Sequence, residues 1–215
     1  MRLVHTISGA LVLPAYLVLH VWEIRAIPAG RRAFVEAAVG GPGGPVLAAV
    51  EALLVLMPLV VHAVTGIWRA VGAERGPHEP YPHRSARTLQ RVTGMLALLF
   101  VVFHLAHVWW PKLAGWGAAR AYDTLRERLA EPAVALLYVV GLTATCAHAA
   151  QGLAVAALRT GWLRGSGGRI AAYGTTSVLA ALGWIVAMQA VAHLATGATL
   201  GPAFLAGAGL GAPRP

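Results

Sequence analysis

Charge is what this sequence has least of. Only 12% of its 215 residues are Asp, Glu, Lys or Arg, about half the share found in an average soluble domain. With 58% hydrophobic residues and a mean hydropathy of +0.66, the apolar excess has to be accommodated by lipid and not by a water-soluble core. Cysteine is nearly absent as well, since Cys146 stands alone. One thiol excludes a disulfide framework, a Cys-ligated iron–sulfur cluster and a CxxCH haem attachment. Acidic residues number eight against 17 Lys and Arg, a net charge of +9. No basic run has the interleaved aromatics of a nucleic-acid site. The arginines cluster between apolar stretches, where they read as membrane-edge anchors.

What is present is long apolar runs. A spanning helix needs about 20 mostly apolar residues, and five stretches qualify, at 3–22, 46–70, 92–110, 132–158 and 170–194. The first lacks a small-residue cleavage site and is expected to be a retained helix, not a signal peptide. Gly-, Pro- and Arg-rich connections separate the spans. In the 111–131 connection, Leu125 and Leu129 alternate with charge and predict a short interfacial helix. The tail at 195–215 is Ala/Gly/Leu-rich and is assigned no structure. The expectation is a single membrane domain over 1–215, all-α, with five transmembrane helices. With the N-terminus inside, nine Lys and Arg fall inside and eight outside, so the positive-inside rule hardly decides. Six of the eight carboxylates then lie outside, which leans towards a cytoplasmic N-terminus.

Four histidines sit deep in the spans: His20, His62, His104 and His148, one in each of the first four. A polar ring in hydrocarbon is costly, so each is a functional candidate, although a lone histidine in a bundle is more often a hydrogen-bonding partner than a ligand. Depth makes the set informative. Successive helices alternate in direction, and at 1.5 Å per residue His20 and His104 stand roughly 20–25 Å above the inner boundary. His62 and His148 stand about 12–15 Å above it. Two imidazoles at each level, from two different helices, suit a low-spin haem iron, whereas zinc wants three or four ligands at one level. The bundle is therefore expected to enclose two stacked b haems. His107, one turn beyond His104, is the rival outer ligand.

The spans also carry candidate surroundings for these ligands. Gly66 and Gly152 lie four residues past His62 and His148, on the same helix face. Gly9 shares the face of His20, whereas Gly94 is rotated away from His104. These glycines read equally as haem clearance and as close helix packing. The second ring nitrogen of each ligand is expected to donate to the carbonyl one turn back, on Tyr16, Pro58, Phe100 and Ala144. Arg91, Arg159 and Arg169 are candidate propionate contacts for the inner haem, and Lys112, Arg120 and Arg128 for the outer one; the same residues also read as snorkelling anchors. Trp22, Glu23, His107 and Trp109 lie near the outer level, where they could line a quinone pocket or belong to an interfacial belt. His5 and His193 sit at span edges, and His78 and His83 in a polar loop.

Several segments together resemble the cytochrome b subunit of succinate dehydrogenases and fumarate reductases, in its five-helix, two-haem form. They are RLVHTISG at 2–9 followed by His20, LMPLVVHAVTG at 56–66, LQRVTG at 89–94 followed by His104, HAAQG at 148–152 and GGRIAAY at 167–173. The resemblance runs from Arg2 to about Leu194. It implies that His62 and His148 ligate the haem nearer the dehydrogenase and that His20 and His104, in preference to His107, ligate the outer one. It also implies a flavoprotein subunit that holds the succinate site, an iron–sulfur subunit on the inner face, and electron flow through inner then outer haem to a quinone, usually menaquinone. The setting implied is a bacterial cytoplasmic membrane. Where some fumarate reductases have a glutamate two residues before the fourth-helix ligand, this chain has Cys146, so that proton route is not expected here. Two other readings stay open from the residues: a cytochrome b anchor of a hydrogenase or formate dehydrogenase, and a haem-free transporter or channel with a histidine relay.

Overall fold

A computed structural model describes residues 2–38, 49, 52–71, 81–113, 115–161 and 163–199. The described residues are helical, with no strand among them. Five helices are long and apolar enough to cross a membrane: α1 (Leu3–Ala29), α3 (Ala52–Val71), α4 (Arg84–Leu113), α6 (Pro132–Arg159) and α7 (Gly165–Thr196). Two short helices join them on one side, α2 (Arg31–Ala37) and α5 (Ala118–Leu129). This is an all-helical membrane bundle. In lipid that outcome is close to obligatory, because a helix satisfies its own backbone hydrogen bonds where no water is available.

Local chemistry sets the helix ends and irregularities. α6 starts on Pro132 at its first turn, where the missing N–H costs nothing. α7 closes on Gly197, whose left-handed backbone (φ 75°) lets its N–H reach the His193 carbonyl at 2.8 Å. Two π-helical turns, Ser8–Val12 in α1 and Ala52–Leu56 in α3, each end two residues before a proline, Pro14 and Pro58. A proline cannot donate to the turn behind it, and a widened turn accommodates that loss. α4 begins at Arg84, eight residues before the apolar run at 92. Its first two turns carry Arg84, Arg87 and Arg91, and long cationic side chains can reach the interface from a helix that continues out of the hydrocarbon. The start expected for the second span at 46, the loop histidine His78 and the tail from 200 lie outside the described residues.

Outward faces are apolar, with Leu99, Val102, Leu136 and Ile170 all more than half exposed, as lipid-facing surfaces are. Inside, contact is made by small residues. α6 offers Ala144, Ala150 and a fully buried Ala154 to its neighbours α4 and α7, the packing helices use when the surrounding solvent is itself apolar. Away from the end where α1 begins, Ile27, Tyr122, Leu129, Tyr138, Val191 and Leu194 form a compact cluster. α2 and α5 lie over it, and Arg31 Nε donates to both Asp123 oxygens at 2.9 and 3.0 Å across them. The interfacial helix expected in the 111–131 connection is α5, with Leu129 fully buried.

Candidate functional site: two histidine pairs

The first four spans bring the four deep histidines together two by two. His62 of α3 and His148 of α6 form a near pair, toward the end where α1 begins, with ring centroids 6.1 Å apart and planes at 75°. His20 of α1 and His104 of α4 form a far pair, 6.0 Å apart at 71°. An imidazole nitrogen sits about 2 Å from the metal it ligates and its centroid roughly 1 Å further back, so two rings on opposite sides of one iron have centroids about 6 Å apart. Both pairs fit that spacing. Among the described residues no three or more His, Cys, Asp or Glu converge as a metal-ion site would require, and each level brings one pair of these deep imidazoles edge-on to one another.

The near pair is fixed by backbone. His62 Nδ1 donates to the carbonyl of His5 on α1 at 3.1 Å, and His148 Nδ1 donates to the carbonyl of Gln90 on α4, also at 3.1 Å. A carbonyl can only accept, so both rings carry their proton on Nδ1 and keep a free lone pair on Nε2, the form an iron ligand requires. The acceptors are therefore not the carbonyls one turn back, on Pro58 and Ala144. Those already serve their own helices, and a ring leaning onto the neighbouring helix finds a carbonyl at close range.

Glycine makes that lean possible. A Cβ on Gly9 would overlap the His62 ring, and one on Gly94 would come within 2.8 Å of His148 Cε1. Gly9 and Gly94 thus make room for the rings of the near pair. Gly66 and Gly152 likewise face side chains: an added Cβ would lie 3.2 Å from His5 Cε1 and 3.3 Å from Gln90 Nε2.

The far pair is held by side chains. His104 Nδ1 lies 3.2 Å from the Tyr138 hydroxyl of α6, and its ring stacks on Phe100. His20 Nδ1 stands 3.8 Å from Glu23, and its ring stacks on Tyr16. The far rings thus turn to side chains where the carbonyls of Phe100 and Tyr16 were expected. His107 turns to its own helix, donating to the Phe103 carbonyl at 2.8 Å with its ring against Phe103; the partner of His20 is His104.

The other candidate residues are dispersed around the two levels. Glu23 stands beside His20, whereas Trp22 is 57% exposed and carries the Arg25 guanidinium 3.6 Å over its ring. Arg91, Arg128 and Arg169 are exposed. Arg159 donates to Thr6 Oγ1 at 3.2 Å, and Arg120 lies over Trp116. Sequence reasoning missed Arg69 and Arg87, which are half-buried at the near end. It also missed Tyr138, although a tyrosine in mid-span signals a hydroxyl in search of a partner. His5, read as an edge residue, stacks on His62 at 4.1 Å and 11°.

Over 187 residues the chain is 30% identical to the succinate dehydrogenase cytochrome b558 subunit of Bacillus subtilis (strain 168), an alignment covering 86% of this chain and 91% of that protein. No protein-family model matches the chain, and no solved structure matches it.

Proposed function

We propose a function from one premise: this chain belongs to the family of succinate dehydrogenase cytochrome b subunits. It is a multi-pass membrane protein and the membrane-anchor subunit of an enzyme complex. We propose, further, an electron-transfer role. The anchor holds two b haems, one between His62 and His148 and one between His20 and His104, and delivers electrons from an iron–sulfur subunit, by way of the near then the far site, to a quinone, with menaquinone as the expected acceptor. The dicarboxylate site belongs to a flavoprotein subunit. The N-terminal side, with the near pair, faces the bacterial cytoplasm, where the two soluble subunits dock.

The observation that supports this reading is the presence of two imidazole pairs, at 6.0 and 6.1 Å, on alternate helices of one bundle. A haem bound by such a pair supplies a reversible one-electron store. The chain's own part is to present the Nε2 lone pairs, keep water out with apolar walls and meet propionates with cations. Arg69 and Arg87 join Arg91 and Arg159 as candidates for that last role at the near end, with Arg128 at the far end. Glu23 and His107 remain candidates for the quinone, and exposed Trp22 is a weaker one.

Haem counting and a reduced-minus-oxidised spectrum of the purified complex test the reading. Two haems are expected in the wild type, with loss of one in His62→Ala and of the other in His104→Ala. A colourless preparation, or loss of the same haem in both variants, overturns it. Co-purification of a flavoprotein with succinate activity separates this reading from an anchor for a nickel or molybdenum enzyme.

A further inference from the structure

The two clamps around the near pair share one pattern of carbonyl bonds. On α1, the His5 carbonyl accepts the His62 ring N–H at 3.1 Å and the Ser8 hydroxyl at 3.2 Å. On α4, the Gln90 carbonyl accepts the His148 ring N–H at 3.1 Å and the Thr93 hydroxyl at 3.3 Å. Each bond is answered in reverse: His5 Nδ1 donates to the His62 carbonyl at 3.1 Å, shared with the Thr65 hydroxyl at the same distance, and Gln90 Nε2 donates to the His148 carbonyl at 3.1 Å. On all four helices a glycine comes four residues later (Gly9, Gly66, Gly94 and Gly152), and each faces the side chain that the pattern brings in.

The register agrees along the chain. HTISG at 5–9 matches QRVTG at 90–94, 85 positions on, and HAVTG at 62–66 matches HAAQG at 148–152, 86 positions on. Buried Ser8 and Thr93 are equivalent by the same count. His20 and His104 are 84 apart, so α1 has one residue more than α4 between clamp and far ligand. The π-helical turn Ser8–Val12 lies in that interval, and a π turn absorbs an extra residue without displacing the rest of the helix. The α1–α3 hairpin is therefore repeated as α4–α6, with His5 in the place of Gln90.

We infer that His5 and Gln90 are equivalent positioning residues, each tying a ligand-bearing helix to the carbonyl that orients the ligand's ring, and that their side chains set the properties of the near haem alone. This rests on the ligand assignment of the proposed function. The side chain acts through the ligand: it fixes the backbone of His62 or His148 against the helix whose carbonyl holds the ring. Partners of this kind commonly change metal affinity by about 10–100-fold. Neither residue is a ligand in this scheme, in which the near haem is held between His62 and His148. The far rings show no such paired clamp: His104 Nδ1 lies 3.2 Å from the Tyr138 hydroxyl, and His20 stacks on Tyr16 with Glu23 nearby.

The test is a redox titration of both haems in the purified complex, with the near haem identified as the one missing in His62→Ala. His5→Leu and Gln90→Leu should each shift the near haem by roughly a tenfold change in the ratio of ferric to ferrous affinity, about 59 mV, or release it, and leave the far haem at its wild-type potential. His5→Gln should keep both haems and restore most of the shift, because glutamine performs this task on α4; what remains measures the lost ring stack. Unchanged potentials in both Leu variants, or equal shifts of both haems, overturn the inference. If the Leu variants do not assemble, His5→Gln and Gln90→His decide: loss of the near haem in both refutes the equivalence, and retention supports it. A wild-type complex without haem would instead remove the underlying ligand assignment, a result distinct from all of these.

Discussion

The near and far histidine pairs share a spacing and almost nothing else. The near rings are held by main-chain carbonyls of neighbouring helices, with glycine opening the approach. The far rings are set by a phenol and two aromatic faces, with a carboxylate nearby. A main-chain carbonyl cannot be mutated away, so each near ring keeps its acceptor; what the near geometry depends on is the absence of bulk at its glycines and the His5 and Gln90 side chains that tie its helices together. The far geometry depends on individual side chains, and those can be altered one at a time. One site is guarded by shape and the other by chemistry.

The largest separation of the two should come from Gly9→Val. Its side chain must displace the His62 ring, since even a Cβ overlaps it. Haem counting should find the near haem lost and the far one retained. Gly94→Ala should act in the same direction but less, its Cβ meeting His148 at 2.8 Å. Loss of the far haem instead would invert the comparison. Next in size is Gly141→Ala, whose added methyl overlaps the Phe100 ring beside His104. Overpacking of this kind costs about 1–3 kcal/mol, and it should appear as a lower melting temperature and a perturbed far-haem spectrum with the near haem unaffected.

Tyr138→Phe is a subtler probe. It deletes the hydroxyl 3.2 Å from His104 Nδ1 and leaves the ring that packs on Phe100. Both haems should stay bound. The far potential alone should move, by an energy on the order of one hydrogen bond, about 0.5–1.5 kcal/mol. An unchanged far potential would mean that side-chain bonding does not distinguish the two sites. The smallest effect is expected from Arg31→Ala, which removes an exposed ion pair joining α2 to α5. Surface pairs are screened by water and salt, so haem content and both potentials should match the wild type. A change at the far haem would show that the cover formed by α2 and α5 transmits to His104.

Much of the two-level arrangement is legible in the sequence. The levels of histidine can be counted along the chain because helix rise is constant and spans alternate in direction; the same arithmetic puts His20 with His104 and His62 with His148. Partners of the second ring nitrogen are not legible, because they depend on how far each helix is rotated and how closely it approaches its neighbour. The local rule points to Pro58 and Ala144, and the cross-helix contact goes to His5 and Gln90. A regular helix would put Gly9 on the face of His20, yet the turn at Ser8–Val12 is π-helical and changes that phase. His5 is easily passed over because it lies near the chain's start. Its pairing with His62 is visible in sequence only when HTISG is set beside QRVTG.

Composition and periodicity by themselves determined that this chain lives in lipid, crosses it with five helices and carries four imidazoles at two depths, because hydrocarbon thickness and helix pitch leave no other arrangement of these residues. Only the tertiary structure decided which group holds each ring and which glycine admits it. Those choices arise from contacts between helices, and contact depends on rotation and distance, which no single segment encodes.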